Sequence, residues 1–208
     1  MSNEFFPDSN EQMGSIDPAS YISKFFKWTE FLRTETGVDN TPDATATMNL
    51  QKLAKVLDTF REKFGPINIT SGYRSPNVQD ALRSGGNAQA AAYSLHEEGL
   101  AADITPTGTT AQKLFATVAG TPDLAKLVGE FALKVNTIHM SLPTSTKQQV
   151  FMYVNAADQY IRYTAQELSD FIAKNKTAVI VAGAAFGTIA LAGVAVFTVL
   201  LLRRRGII

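Results

Sequence analysis

The sequence has no cysteine and only two histidines, His96 and His139, among its 208 residues. The absence of cysteine excludes a disulfide framework, a thiolate zinc site and a cysteine nucleophile. Acidic residues are missing from Thr177 onward, where the only charges are three arginines at 203–205. The first 176 residues carry 16 basic and 19 acidic groups, a net charge of −3. A net-acidic region without basic runs argues against nucleic acid as a partner.

Residues 177–202 form a run of 26 residues without a charge. Because a helix of about 20 apolar residues crosses a bilayer core, the run predicts one C-terminal transmembrane helix, with 203–208 as a basic tail. The N-terminus lacks the basic and apolar regions of a signal peptide, so a single-pass C-terminal anchor is expected. Gly183 and Gly187 would let two such helices approach closely, which allows a homo-oligomer.

The rest of the chain divides into a mobile polar arm over 1–20, a domain over 21–155 and an amphipathic helical stalk over 156–176. Helical periodicity ends at Gly65-Pro66, and a Thr164-x-x-Glu167 capping box opens the helix of the stalk. Two short helices are predicted over 110–132. Strands are predicted over 68–71, 100–105, 135–142 and 149–154, the last two as a pair. These elements predict an α+β fold.

Both histidines and one aspartate stand beside apolar strand residues. His96 ends a polar loop, whereas Asp103 and His139 fall inside the predicted strands. Two neutral imidazoles and one carboxylate can form a zinc site whose fourth position stays open, as in catalytic sites. The spacing leaves simpler interpretations open. Each histidine could be a hydrogen-bonded core residue, and Asp103 could pair with Arg74 because an unpaired buried charge is costly.

Two motifs carry a resemblance to a known family: Ile-Thr-Ser-Gly-Tyr-Arg-Ser-Pro over 69–76, and Ser-x-His-x-x-Gly-x-Ala-x-Asp over 94–103. With them the chain resembles the zinc D-Ala-D-Ala carboxypeptidase and L-Ala-D-Glu endopeptidase family, including its phage endolysin branch, over roughly 25–145. The resemblance implies a hedgehog/DD-peptidase-like fold, a small antiparallel sheet with flanking helices, over the zinc peptidase domain 21–155. It also implies Zn²⁺ held by His96, Asp103 and His139, and peptidoglycan as the partner.

The resemblance further assigns substrate contacts. Arg74 would lie beside the metal and hold a substrate carboxylate or carbonyl, which suits a planar, permanently charged guanidinium. Tyr73 and Ser94, which belong to the same two motifs, would bind the substrate with it.

The general base is predicted to be Glu130, which occupies the place of the acid in the phage branch. Glu97 and Glu98, next to the first histidine, are the alternatives. In other branches the acid precedes the last histidine by three residues, where this chain has Asn136. Those branches also favour an aromatic residue or histidine at the position of Thr137.

Two functions follow from the resemblance. The first is a membrane-anchored zinc peptidase that hydrolyses peptidoglycan peptide bonds as a phage virion-associated lysin. Its expected location is the virion membrane of a lipid-containing phage, with the bacterial inner membrane as the alternative. The lipid bilayer and other virion or membrane proteins would then be partners. The second is a membrane-anchored cell-wall-binding or structural protein that keeps the fold without turnover, which the missing acid at Asn136 favours.

Overall fold

The computed structural model describes residues 16–85, 94–145 and 148–183. Most of the predicted arm, residues 1–15, and the basic tail 203–208 lie outside the described residues. The described helices are α1 (Trp28–Leu32), α2 (Ala44–Phe64), α3 (Pro76–Ser84), α4 (Ala111–Ala119), α5 (Pro122–Ala125) and α6 (Ala165–Gly183). The described strands are β1 (Ile67–Ser71), β2 (Ala101–Pro106), β3 (Glu130–Leu133), β4 (Ile138–Ser141), β5 (Val150–Val154) and β6 (Tyr160–Arg162).

The six strands form one sheet in the order β1-β2-β4-β3-β5-β6. Every neighbouring pair is antiparallel except β3 and β5, which run parallel. The expectation of a small antiparallel sheet is therefore corrected to a six-stranded mixed sheet. The predicted pairing of 135–142 with 149–154 is also wrong, because β3 lies between β4 and β5.

Strand β3 was expected as part of a helix, and its burial explains why. Phe131 and Ala132 are fully buried and Leu133 is nearly so, which leaves no alternation of apolar and polar residues. A strand in the middle of a sheet that is buried on both faces cannot be told from a buried helix by periodicity.

The sheet has one face covered by helices and one face that carries polar residues. On the covered face, Phe131 of β3 stacks on Phe115 of α4 at 5.2 Å and meets Phe60 of α2 edge-on at 6.4 Å. Successive residues of a strand point to opposite faces. Asp103 and His139 therefore point to the other face, away from the core that these rings form.

Residues 156–176, expected as a helical stalk, contain β6 and most of α6. The predicted capping box opens α6: the Glu167 carboxylate accepts from the Thr164 backbone N–H at 2.9 Å, and the Thr164 hydroxyl accepts from the Glu167 N–H at 3.2 Å. Phe171 then packs edge-on against Phe115 at 5.6 Å and also contacts Tyr163. Helix α6 is thus joined to the domain by aromatic contacts.

The predicted transmembrane helix is corrected by the structure. No helix within 16–85, 94–145 and 148–183 combines the length and the apolar content that a bilayer span requires. The described part of the apolar run, 177–183, is only the end of α6, whereas a span needs about 20 apolar residues. Residues 184–202, with Gly187 of the proposed helix pair, lie outside the described residues. A single-pass anchor and the membrane locations inferred from it are not supported.

Packing of α6 on α4 predicts a measurable contribution of Phe171 to stability. Phe171→Ala should lower the free energy of unfolding by about 2 kcal/mol, less than for a fully buried phenylalanine because this ring is only partly buried. Chemical denaturation of both proteins measures the difference. Lys174→Ala, an exposed change on the same helix, should stay within about 0.5 kcal/mol of wild type. Equal stabilities for the two variants would contradict the docking of α6.

Candidate metal centre

Asp103 and His139 face each other across two paired strands. They are Cα partners in the β2–β4 register, so their side chains leave the sheet side by side. The His139 Nδ1–H donates to Asp103 Oδ1 at 2.9 Å. Their side chains are 12% and 16% exposed, which places the pair at the floor of a cleft rather than in open solvent.

His96 reaches the same place from the turn before β2. Its side chain is only 3% exposed, and its Nδ1 lies 2.6 Å from the carbonyl oxygen of Gly72. Because a carbonyl can only accept, Nδ1 must carry the hydrogen, and Nε2 keeps its lone pair. That Nε2 lies 3.9 Å from Asp103 Oδ1. A backbone carbonyl thus fixes the tautomer of a candidate ligand, as is usual for metal-binding histidines.

Two glycines near His96, Gly72 in space and Gly99 in the sequence, have no room for a side chain. At Gly72 a Cβ would collide with the backbone of Phe31, so only glycine lets the chain pass with its carbonyl toward His96. Gly99 has φ +68°, and a Cβ there would come within 2.6 Å of the Ala46 carbonyl oxygen. The left-handed conformation at Gly99 turns the chain back into β2.

A buried amide secures the loop that carries Arg74. The Asn40 Nδ2 donates to the carbonyls of Leu32 and Tyr73, both at 2.9 Å, and its Oδ1 accepts from the Ser75 N–H at 2.7 Å. Arg74 itself donates its backbone N–H to the His96 carbonyl at 3.2 Å. The two sequence motifs are therefore joined through backbone groups, which fixes Arg74 beside the histidine.

The described residues contain one group able to hold a metal ion: His96, Asp103 and His139, with one ligand atom of each lying within 4.8 Å of the others. Two imidazole nitrogens and a carboxylate oxygen are ligands that zinc prefers, and three protein ligands leave a position open. The three predicted ligands therefore meet at one point and fit a zinc ion.

The protonation states of the trio suit a cation. Burial lowers the pKa of His96 to about 3, so its imidazole is neutral. Burial opposes ionisation of Asp103, but the hydrogen bond from His139 and the electrostatic interactions with His96, His139 and Lys134 together outweigh burial and hold the pKa of Asp103 well below its usual range. Burial also disfavours the charged form of His139, yet hydrogen bonds with Asp103 and Glu130 prevail and raise its pKa. The site thus holds a carboxylate, a neutral imidazole on His96 and one proton on His139 that a metal would have to displace.

Two charged side chains complete the surroundings of the trio. Glu130 of β3 approaches His139 from the side away from Asp103, with 3.7 Å between Oε2 and Nε2. Lys134, just beyond β3, places its Nζ 3.6 Å from Asp103 Oδ2. The structure therefore pairs Asp103 with Lys134, not with Arg74 as the simpler interpretation of the sequence had it.

The predicted substrate-binding residues separate into two groups. Arg74 and Ser94 line the cleft over the trio. Arg74 Nη1 donates to Gln79 Oε1 at 3.2 Å, while its buried Nε has no hydrogen-bond partner among the described residues. Tyr73, in contrast, is 4% exposed and packs in the hydrophobic core, so its side chain does not face a substrate.

The candidate bases also separate. Glu130 lines the cleft, whereas Glu97 and Glu98 lie in the turn after His96, outside the cleft lining. Asn136 is exposed in the turn between β3 and β4, and Thr137 follows it. Neither residue lines the cleft.

Lys134 and Tyr160, which lie against Asp103 and His139 in the cleft, were not predicted from the sequence. The strand geometry of β3 puts Glu130, Ala132 and Lys134 on one face, which could not be deduced from a sequence stretch that was predicted to be helical. The Tyr160 ring lies 6.2 Å from the His139 ring, edge to face. Its strand β6 has three residues and was not predicted at all.

An open cleft with a His-Asp-His trio, a carboxylate and an arginine defines a candidate mononuclear metal-dependent hydrolase. A profile of the family Peptidase M15 matches residues 24–141, more than half of the chain. The chain belongs to this family of zinc peptidases, as the motifs predicted. Membership supports the predicted zinc metallopeptidase and its metal. No curated protein matches the sequence.

Zinc binding should release about one proton at pH 5.5. The raised pKa of His139 keeps its Nδ1 proton bound there, and a metal must displace it, so affinity falls as the pH drops through that pKa. His96 and Asp103 contribute none, because each has a pKa well below 5.5. Calorimetric zinc titration in two buffers of different ionisation enthalpy counts the protons. Two ordinary histidines, with pKa values of about 6.5, would release nearly two, which would contradict this assignment.

Proposed function

We propose that this protein is a zinc peptidase that hydrolyses peptide bonds in the stem or cross-bridge peptides of peptidoglycan. The observation that carries the proposal is the convergence of the His96, Asp103 and His139 trio with Glu130 and Arg74 in one cleft. Family membership supports the peptidase chemistry and a peptidoglycan-like substrate. Use of the enzyme as a phage lysin stays a prediction from the sequence.

When bound, zinc would polarise a scissile carbonyl and lower the pKa of water. Arg74 orients the peptide beside the trio. Its guanidinium lies at the cleft with an unpaired buried Nε. Burial lowers its pKa, yet a guanidinium stays protonated in proteins. A permanently charged planar fork therefore faces the substrate and suits a carboxylate or carbonyl oxygen. Gln79 holds one end of that fork, which limits its freedom to rotate.

Glu130 is the carboxylate best placed to move the proton. It lines the cleft and lies within 3.7 Å of His139, on the strand next to the one that bears this ligand. It can accept a proton from the attacking water and pass it to the leaving amine. The acid that other branches carry three residues before the last histidine is replaced here by Asn136, which also lies in an exposed turn.

Lys134 and Gly72 hold the trio from outside. Lys134 lies against the Asp103 oxygen that His139 does not use, and the Gly72 carbonyl orients His96. These contacts keep the carboxylate ionised and the imidazole in one tautomer. The peptide then meets a rigid set of groups, which is the condition for efficient catalysis by positioning.

A second function, binding of wall peptides without turnover, is favoured by one observation: the amide of Asn136 stands where other branches have the acid. An amide cannot accept the proton of an attacking water. If Glu130 does not act as base, the cleft would retain peptide without cleaving it.

Incubation of the full-length protein with purified peptidoglycan separates the two functions. We expect free amino groups to be released, the release to stop with a chelator, and activity to return on addition of zinc. Mass analysis of the soluble fragments identifies the bond that is cut. Sedimentation of the protein with the wall without any release would overturn the enzymatic proposal and favour the binding function.

Glu130→Gln should retain stoichiometric zinc and lose hydrolysis by about 100-fold or more, the usual effect of removing a general base. The amide keeps the size of the side chain but cannot accept the proton. Initial rates on purified peptidoglycan, together with metal content, measure both effects. Glu35→Gln is the matched control, because this exposed carboxylate also lines the cleft. A near wild-type rate for Glu130→Gln would remove Glu130 from the reaction.

A further inference from the structure

The hairpin of β5 and β6 builds one wall of the cleft. Phe151 and Tyr153 of β5, with Ile161 of β6, point to the helix-covered face, since Phe151 is the register partner of Phe131 and Tyr153 that of Ile161. Strand alternation sends the residues between them to the other face. These cleft-lining residues are Val150, Met152, Tyr160 and Arg162.

This wall lies outside the part of the chain that matches the family. The match ends at residue 141, whereas β5 begins at Val150 and β6 ends at Arg162. The aromatic layer of Phe115, Phe151 and Tyr163 attaches the hairpin firmly to the core. The wall is therefore a stable part of the domain that the family's own site residues do not include.

The hairpin also reaches the metal centre. In the sheet order, β3 and β5 separate β6 from β4, yet the Tyr160 ring contacts the His139 ring at 6.2 Å. Lys134 lies over the same tyrosine, 5.8 Å from the ring centroid. Tyr160 thus borders the cleft beside the trio, and the hairpin lies next to any substrate that binds there.

Arg162 is the cation that this wall presents to the cleft. It is exposed, and its side chain forms no ion pair or hydrogen bond with any other residue in 16–85, 94–145 and 148–183. Its register partner is Met152, an apolar residue, so the hairpin supplies no counter-charge opposite it. An arginine without a counter-ion beside a substrate cleft is suited to bind a carboxylate, which its fork can hold through two hydrogen bonds.

We infer that Arg162 binds a carboxylate of the peptide substrate at a distance from the bond that is cut, and so selects acidic over amidated peptides. The inference rests on the proposed function, because it takes a peptidoglycan stem peptide as the substrate. Such a peptide offers two carboxylates, the α-carboxylate of its γ-linked D-glutamate and its C-terminal carboxylate, and whichever bond is cut, at least one of them is at a distance from it. Arg74 can hold one, and Arg162 holds the other.

Binding of three synthetic peptides tests the inference. The peptides are L-Ala-γ-D-Glu-L-Lys-D-Ala-D-Ala, the same peptide amidated at the D-glutamate α-carboxyl, and the same peptide amidated at its C-terminus. Dissociation constants are measured by calorimetry on zinc-loaded full-length protein that carries Glu130→Gln, so that turnover does not interfere. With Arg162 present, each amidation should weaken binding by about tenfold, a modest value for an exposed charge-assisted pair.

In the protein that also carries Arg162→Ala, one of the two amidations should lose its effect while the other keeps it. Arg162→Lys should restore only part of the discrimination, because lysine retains the charge without the planar fork. Lys52→Ala, which removes one exposed positive charge from α2, is the matched control and should leave both effects unchanged. The inference is overturned if Arg162→Ala preserves both amidation effects or if all three peptides bind equally with Arg162 present. Absence of wall hydrolysis by the wild-type protein would instead count against the proposed function, since these affinities do not depend on turnover.

Discussion

The register between β2 and β4 is the constraint on which the metal centre depends. Asp103 and His139 meet only because they are direct partners in that register, and a slip of one residue would turn one of them into the core. The neighbours that prevent the slip are fully buried: Ile104 on β2, and Ile138 and Met140 on β4. The buried face of the sheet therefore determines which residues stand on its opposite face. Mutations in this core that shift the β2–β4 register would separate Asp103 from His139.

His96 depends on backbone groups instead, and this gives the site a second kind of support. The Gly72 carbonyl sets its tautomer, and its own carbonyl receives the Arg74 N–H. Asn40 ties the arginine loop to α1 from below with three hydrogen bonds. A buried amide with its hydrogen-bonding groups satisfied costs little to bury, whereas its loss would leave unpaired backbone groups in the interior. The arginine proposed to bind substrate and the candidate metal ligand His96 are thus joined through one loop.

The sequence allowed the candidate metal ligands to be predicted, but not the residues that form the wall of the cleft. His96, Asp103 and His139 were predicted as metal ligands because the two sequence motifs resemble those of the family; the scarcity of histidine and the apolar strands β2 and β4 were consistent with this but left simpler interpretations open. Glu130 was found by resemblance, but its strand was assigned to a helix because Phe131, Ala132 and Leu133 are all buried. Tyr73 was predicted to bind the substrate, but its aromatic ring is buried in the hydrophobic core. Tyr160 lies on a three-residue strand whose position depends on pairing with β5, a non-local contact that no local pattern encodes.

The balance of charge in the cleft connects the metal with the choice of substrate. Four cations line it, Arg33, Arg74, Lys134 and Arg162, against three carboxylates, Glu35, Asp103 and Glu130. Lys134 already neutralises Asp103. The three arginines together with a divalent ion held by the trio would then outweigh the two remaining carboxylates, and the cleft would carry a net positive charge. A cleft of one net sign with low-dielectric walls attracts ligands of the opposite sign. Peptides rich in carboxylates satisfy that condition. A neutral peptide of the same length would leave Arg162 without a counter-ion, and this is the physical basis of the proposed preference for acidic stem peptides.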